Sequence, residues 1–177
     1  AGLYIHIPFC KQACHYCDFH FSTNRQLTTQ LCEAMAKELE LQKNYLQEET
    51  LNTIYLGGGT PSLLTRKELE IIFKGILSHY RIDVDAEITL EANPDDLTPD
   101  KLSELRQVGV NRLSIGIQSF DPNVLKFLNR AHDAQTALDC VKLARDAGFK
   151  NLSIDLIYSI PGQDNDAWKK NLTQAIA

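Results

Sequence analysis

"LYIHIPFCKQACHYCDF", residues 3–19, runs a strand-like alternation directly into three cysteines, Cys10, Cys14 and Cys17. Residues 3–7 have the aliphatic and β-branched character of a strand. Pro8 and the crowded Phe9, Tyr16, Phe19 and Phe21 place the cysteines in a loop beyond its C-terminal end. The arrangement then recurs. "NTIYLG" (52–57) runs into "GGTP", and "AEITLEAN" (86–93) ends on Glu91 and a proline. "RLSIGIQS" (112–119) carries Gln118, and "NLSIDLIY" (151–158) carries Asp155 before "SIPG". Each strand pattern thus delivers an unusual polar or glycine-rich group at its C-terminal end.

Helical patterns separate these strands. Leu27, Leu31, Met35 and Leu39 recur at a spacing of four and predict a helix to about Leu46. Thr65 and Glu68 form a capping box ahead of Leu69, Ile72, Phe73, Ile76 and Leu77 on one expected apolar face. Thr98 with Pro99 opens a helix through Leu102, Leu105 and Val108 to Gly109, and Asp121 with Pro122 opens a short one to about Leu128. Another spans about Asp133 to Ala147 before Gly148, and the last begins near Asp166, with Trp168, Leu172 and Ile176 expected to pack on the sheet. Strands alternating with helices imply parallel βαβ units and the α/β class. Polar groups converging from five strand ends favour a partial TIM-like barrel with its site at the mouth over an open sheet, which concentrates a site at one switch point.

The composition narrows the chemistry. With 177 residues, 44% of them hydrophobic and 23% charged, residues 1–177 read as one domain with one core. A net charge of -5 and the lack of any basic run argue against nucleic acid and against an anionic membrane surface. No apolar run approaches a membrane span and the N-terminus lacks signal-peptide character, so a cytoplasmic protein is expected. Five cysteines, three of them within eight residues, make a poor secreted disulfide framework and a better metal or redox site. The chain starts without Met and stops inside a helical pattern, which reads as a piece of a longer protein.

Three thiolates admit two metal readings. Zinc could take three protein ligands and water, with His15 or His20 as alternative donors. An iron-sulfur cubane normally takes four thiolates, and holding it with three leaves one iron open to another molecule. Gly57, Gly58 and Gly59 allow close backbone approach to a ligand or simply a tight turn; neither a P-loop nor a dinucleotide fingerprint is present. Glu91 and Asp155 lie among apolar neighbours where a carboxylate needs a partner. Gln118 offers donors and acceptors suited to a ribose or an amino acid head group, and Arg130 could fork a carboxylate. His6 reads as a packed strand residue, His132 as exposed near a helix start, and Cys32 and Cys140 as core thiols.

The motifs together resemble the radical S-adenosylmethionine superfamily, through CxxxCxxC after the first strand with Tyr16 before the third cysteine. More narrowly, "YIHIPFCKQACHYCDF", "LGGGTPSLL", "EANPDDLT", "RLSIGIQSF", "LNRAH" and "SIDLIYSIPGQ" resemble the oxygen-independent coproporphyrinogen III oxidase family over nearly the whole chain. That resemblance implies a six-stranded partial barrel, of which about five βα units are visible, with the sixth strand and any C-terminal domain absent. It implies a 4Fe-4S cluster on Cys10, Cys14 and Cys17, whose free iron is chelated by S-adenosylmethionine. One electron would then split the sulfonium to methionine and a 5'-deoxyadenosyl radical. Tyr4, Gly58, Gly59, Thr60, Glu91, Gln118, Arg130 and Asp155 would line the cofactor site. Oxidases of the family carry a further Cys two positions after the third, where this chain has Phe19. "HYCDF" instead resembles the oxidase-like branch described as haem chaperones. The implied partners are haem or a porphyrin, haem-accepting proteins such as respiratory enzymes, and a low-potential electron donor such as flavodoxin. Membrane association is expected only through a partner. The alternatives are a decarboxylating oxidase of porphyrin biosynthesis and a non-radical metal-binding structural protein.

Overall fold

The computed structural model describes residues 1–45 and 50–176. Five parallel strands form one sheet in the order of the chain: β1 (Gly2–Ile7), β2 (Thr50–Gly58), β3 (Arg81–Ala92), β4 (Arg112–Gln118) and β5 (Asn151–Leu156). The helices are α1 (Thr28–Leu41), α2 (Arg66–His79), α3 (Pro99–Gln107), α4 (Pro122–Phe127), α5 (Ala134–Asp146) and α6 (Asn165–Ile176). A sequential order never reverses direction across the sheet. Right-handed crossovers then keep every helix on one face, which is the rule of a barrel wall and not of a doubly wound sheet.

The two faces differ in chemistry. Ile5, Ile7, Ile54, Leu56, Ile88, Leu90, Leu113, Ile115 and Ile117 point to the helix side and are buried in one core with Leu69, Ile72, Leu102, Leu105 and Phe149. The alternate positions carry Tyr4, His6, Tyr55, Glu87, Thr89, Glu91, Arg112, Ser114 and Ser153. Register stacks these into layers across the concave side: Tyr4, Tyr55, Thr89, Arg112 and Asn151 share one level, and Glu91, Ser114 and Ser153 the next towards the mouth. A parallel sheet usually buries apolar side chains on both faces. A polar inner face marks this one as the wall of a polar lumen.

Most element starts follow their local chemistry. Thr65 and Glu68 make the expected reciprocal cap of α2, Thr98 caps α3 with Pro99 in its first turn, and Asp121 and Asp133 accept from the first turns of α4 and α5. Several expectations require correction. α1 ends at Leu41, and the position Leu46 lies outside the described residues. Leu27 is 59% exposed at the entry to α1, so the packed stripe consists of Leu31, Met35 and Leu39, with Cys32 beside them. Leu77 is 63% exposed, because the buried face of α2 is completed by Leu69, Ile72, Phe73 and Ile76. In α6, Leu172 and Ile176 face outward, and the buried residue is Asn171, whose Oδ1 accepts from Phe120 N at 2.7 Å and Ser119 Oγ at 3.2 Å. Spacing alone does not distinguish a helix face that meets the sheet from one that does not. Among the described residues, no helix is long and apolar enough to cross a membrane.

Candidate functional site

The cysteine loop leaves β1 at Pro8 and is tied down at both ends. Cys10 N donates to Ser22 O at 3.0 Å and Ser22 N to Pro8 O at 2.7 Å, closing residues 10–22 into a bounded excursion. Its outer edge rests on the link between α4 and α5. His15 N donates to Leu128 O at 3.1 Å, and the His15 ring, through Nδ1, donates to Phe127 O at 2.8 Å. Gln12 Nε2 donates to Asn129 O at 2.6 Å, while Asn129 Nδ2 returns a bond to Ala13 O at 2.7 Å. Lys11 pairs with Asp95 at 2.6 Å and with Asp96, whose other oxygen accepts from Ser62 Oγ at 2.6 Å. Neither His15 nor His20, the alternative zinc donors, lines the cavity that the three cysteines share.

Cys10, Cys14 and Cys17 are all half-buried free thiols on the wall of one cavity at the mouth of the half-barrel. Burial pushes the Cys10 thiol up. The Thr60 hydroxyl, donating to its Sγ at 3.5 Å, opposes that shift; the two other cysteines add to it and the Arg130 charge opposes it. Three thiols crowded in this way favour a cation, which would reverse that balance by coordination.

Beside the thiols, Gly58 ends β2 and Gly59 and Thr60 follow it, forming the adjacent wall. Gly58 has φ +115°, open only to glycine at low cost. A methyl group on Gly59 would stand 2.8 Å from Phe9 O and 3.0 Å from Cys10 Sγ, so the glycine is what lets the cysteine loop lie against the strand end. Glu91, from β3, is held by two donors: Tyr55 Oη to Oε1 at 2.7 Å and Gly58 N to Oε2 at 3.0 Å. Its partners are thus a phenol and a backbone amide. Burial and the Glu91 charge push the Tyr55 hydroxyl up to about 12, which keeps it a donor at neutral pH.

Gln118 occupies the left-handed region at φ 67° at the end of β4 and turns into the same cavity. Asp155, at the end of β5, is exposed to that cavity. Packing around its carboxyl pushes its pKa up, and the Arg112 guanidinium opposes the shift. Arg130 pairs with no carboxylate among the described residues. Its Nη2 donates to Asn93 Oδ1 at 2.7 Å and Gly116 O at 2.8 Å, and its Nη1 reaches Cys14 Sγ at 3.4 Å and Tyr16 Oη at 3.3 Å. Its Nε is buried without a partner.

All the expected site residues except Tyr4 line this cavity. Tyr4 lies one layer deeper, stacked on Tyr55 with ring centroids 6.0 Å apart, its hydroxyl 3.0 Å from His6 Nδ1. His6 is accordingly exposed on the lumen side and not packed. His132 is the opposite case: expected at the surface, it is 4% exposed, and its Nε2–H donates to Ile117 O at 3.0 Å. Cys32 and Cys140 are buried core thiols as expected. Sequence reasoning missed Tyr55, Asn93 and Asn129. Tyr55 was legible in principle, since it shares the inward parity of Tyr4 and Glu91; Asn93 and Asn129 act through loop geometry that leaves no periodic signal.

The family model for the Radical SAM superfamily matches residues 4–175, and the chain belongs to that superfamily. Within it, the chain is 38% identical over 177 residues to the heme chaperone HemW of Escherichia coli strain K12, covering 99% of this chain and 47% of that protein. It is 39% identical over 169 residues to the heme chaperone HemW of Lactococcus lactis, covering 96% of this chain and 44% of that one. Among solved structures, coproporphyrinogen III oxidase (HemN) from Escherichia coli, described as a radical SAM enzyme, superposes with a TM-score of 0.90 at 31% identity, over 98% of this chain and 41% of that chain. An archaeal Elp3 at 15% identity and a TM-score of 0.65 shares the fold alone. The chain therefore spans a little under half the length of the curated relatives it matches.

Proposed function

We propose that this chain is the radical S-adenosylmethionine core of a cytoplasmic haem chaperone, which binds haem and passes it to haem proteins. The observation that carries the reading is the convergence of three free thiols of one loop with Gly58, Gly59, Thr60, Glu91, Gln118 and Asp155 on a single cavity. The three thiols share one wall of the cavity. Three thiolates are one short of the set that closes a cubane, which leaves one iron open to a bound molecule. The loop is braced from three sides, the Gly59 cradle is one that a methyl group would fill, and Arg130 brings an orphaned Nε to the same place.

Cys10, Cys14 and Cys17 would hold the 4Fe-4S cluster. Gly58, Gly59, Thr60, Glu91, Gln118, Arg130 and Asp155, with Tyr4 behind them, would line the S-adenosylmethionine site. Bound there, the pair would supply one-electron reductive cleavage of a sulfonium. The chain's own contribution is positional and electrostatic. Arg130 sets a positive charge beside Cys14 and fixes the loop to Asn93. Gly58 presents backbone without a side chain, and Asp155 and Gln118 offer acceptors and donors at the rim.

Phe19 favours the chaperone over the decarboxylating oxidase: it lines the cavity, 76% exposed, at the position where the resemblance puts a further cysteine in oxidases. Haem-accepting proteins and a low-potential donor such as flavodoxin are the partners this reading requires. The test is anaerobic cluster reconstitution followed by titration with haem and transfer to an apo-haem protein, with coproporphyrinogen III and S-adenosylmethionine assayed in parallel. Saturable haem binding with transfer and no vinyl product is expected. Formation of a decarboxylated porphyrin would move the reading to the oxidase.

A further inference from the structure

The lumen below the mouth contains a cation that makes no hydrogen bond to the residues proposed for cluster and cofactor. Arg112 opens β4 on the inner face, in the layer shared with Tyr4, Tyr55 and Thr89. Its guanidinium donates to neutral hydroxyls only: Nη1 to Thr89 Oγ1 at 3.2 Å, Nη2 to Ser153 Oγ at 3.2 Å. Ser153 in turn donates to Ser114 Oγ at 3.1 Å, so hydroxyls from three adjacent strands surround the charge. The nearest carboxylate, Glu87, stays at 3.8 Å from Nε, outside hydrogen-bond reach. Glu87 is 46% exposed in its side chain and already accepts from Thr89 Oγ1 at 3.2 Å and Asn151 Nδ2 at 3.4 Å.

Arg112 is 23% exposed in its side chain, which is too little for full hydration and enough to be reached. A guanidinium carries five N–H donors and is matched by the planar fork of a carboxylate. Two hydroxyls leave N–H groups to spare, and a mostly buried charge whose nearest carboxylate stays 3.8 Å away, with Asp155 as a second one in its field, is an expensive arrangement unless an anion makes the direct contact. Across the same layer stand the stacked rings of Tyr4 and Tyr55, a flat apolar surface with hydroxyl edges. Together they describe a receptor for a flat aromatic molecule that bears a carboxylate arm.

We infer that Arg112, with Thr89, Ser114 and Ser153, is a carboxylate subsite on the floor of the lumen, which takes a propionate of a tetrapyrrole lying against Tyr4 and Tyr55. The inference rests on the haem reading above and adds the place where haem or porphyrin is held in this part of the protein. The residues are distinct from those assigned to cluster and cofactor, apart from Tyr4, which would border both.

The experiment uses the full chain, cluster-loaded anaerobically, titrated optically with haem and with the haem dimethyl ester, which lacks both carboxylates. Wild type is expected to bind the free acid about tenfold or more tightly than the ester, the scale of one charge-assisted contact. Arg112→Gln is expected to weaken the free acid by a similar factor, leave the ester unchanged and leave S-adenosylmethionine affinity unchanged. Ser153→Asp supplies an internal carboxylate without removing the arginine and is expected to give the same loss, which separates occupancy of the subsite from damage to the sheet. Free-acid binding equal to wild type in both variants overturns the subsite and leaves the haem reading standing. Loss of S-adenosylmethionine binding with intact haem binding overturns it too, by assigning the arginine to the cofactor's carboxylate. No haem binding by the wild-type chain overturns both readings together.

Discussion

Arg130 Nη1 lies 3.4 Å from Cys14 Sγ while Nη2 of the same guanidinium is fixed by Asn93 Oδ1 at 2.7 Å and Gly116 O at 2.8 Å. One side chain thus couples the cysteine loop to the ends of β3 and β4 and puts a permanent charge beside a thiol proposed as a cluster ligand. A fixed cation stabilises the more negative, reduced state of a cluster. Arg130→Gln is therefore expected to retain iron and lower the cluster's reduction potential, with Arg130→Lys between it and wild type. A spectroscopic redox titration reads this; an unchanged potential in Arg130→Gln would show that the charge is screened from the cluster.

Asn129 is the second brace. It sits at φ 54° and exchanges two hydrogen bonds with the cysteine loop, accepting from Gln12 and donating to Ala13 O. Alanine loses the side-chain donor and resists the left-handed backbone, at a cost of about 1–2 kcal/mol; glycine loses only the donor. Iron and sulfide retained after gel filtration are expected to fall in the order wild type, Asn129→Gly, Asn129→Ala. Equal retention in the three proteins would remove Asn129 from loop positioning.

Gly59 tests the cradle by volume. The added methyl group in Gly59→Ala would meet Phe9 O at 2.8 Å and Ile7 O at 3.0 Å, both backbone atoms that cannot swing aside. Gly148→Ala is the control, with open space around its Cβ but φ +89°, so it costs about 1–2 kcal/mol of stability through strain alone. Gly59→Ala should lose most of its iron, and Gly148→Ala should lower the melting temperature with iron content unchanged. Full iron content in Gly59→Ala would mean that the loop can lift from the strand end.

His132 gives the pH prediction. Burial lowers its pKa first, the Arg130 charge adds to that, and the hydrogen bond to Ile117 O and nearby aspartates oppose it. Its Nε2–H serves Ile117 O and its Nδ1 is buried without a partner, so a second proton would arrive on an unpaired buried atom. An unfolded His takes up its proton near about 6.5. Between that value and the lower folded one, the unfolded chain binds more protons and stability falls as pH falls. The contribution is fully present above about 6.5. Chemical denaturation from pH 7.5 to 5 should show this loss, and His132→Gln, which keeps a donor for Ile117 O, should flatten it. Parallel slopes in the two proteins would assign the loss elsewhere.

How much of this was legible depends on whether the information was periodic. Strand alternation in "LYIHI" and "RLSIGIQS" and caps such as Thr65 with Glu68 are local rules, and the parallel sheet with its mouth-ward residues followed from them. The motif residues converge because Gly58, Glu91, Gln118 and Asp155 each lie at the last or next-to-last position of a strand and the cysteines follow one, positions countable along the chain. Burial was less legible: His132 follows Arg130 in an exposed-looking "NRAH" yet is carried under β4, and Leu172 sits on the outer side of α6. Those outcomes depend on how far each segment rotates against the sheet. The inward parity of Thr89, Arg112, Ser114 and Ser153 was written in the sequence, but only the register joins them into one site.

The central claim is that three thiolates leave an open iron for S-adenosylmethionine. The most direct measurement is the electron paramagnetic resonance spectrum of the reduced, reconstituted protein with and without S-adenosylmethionine, repeated with Cys14→Ala. A 4Fe-4S spectrum that changes on adding S-adenosylmethionine is expected, with no intact cluster in the variant. A wild-type cluster signal indifferent to S-adenosylmethionine would contradict it.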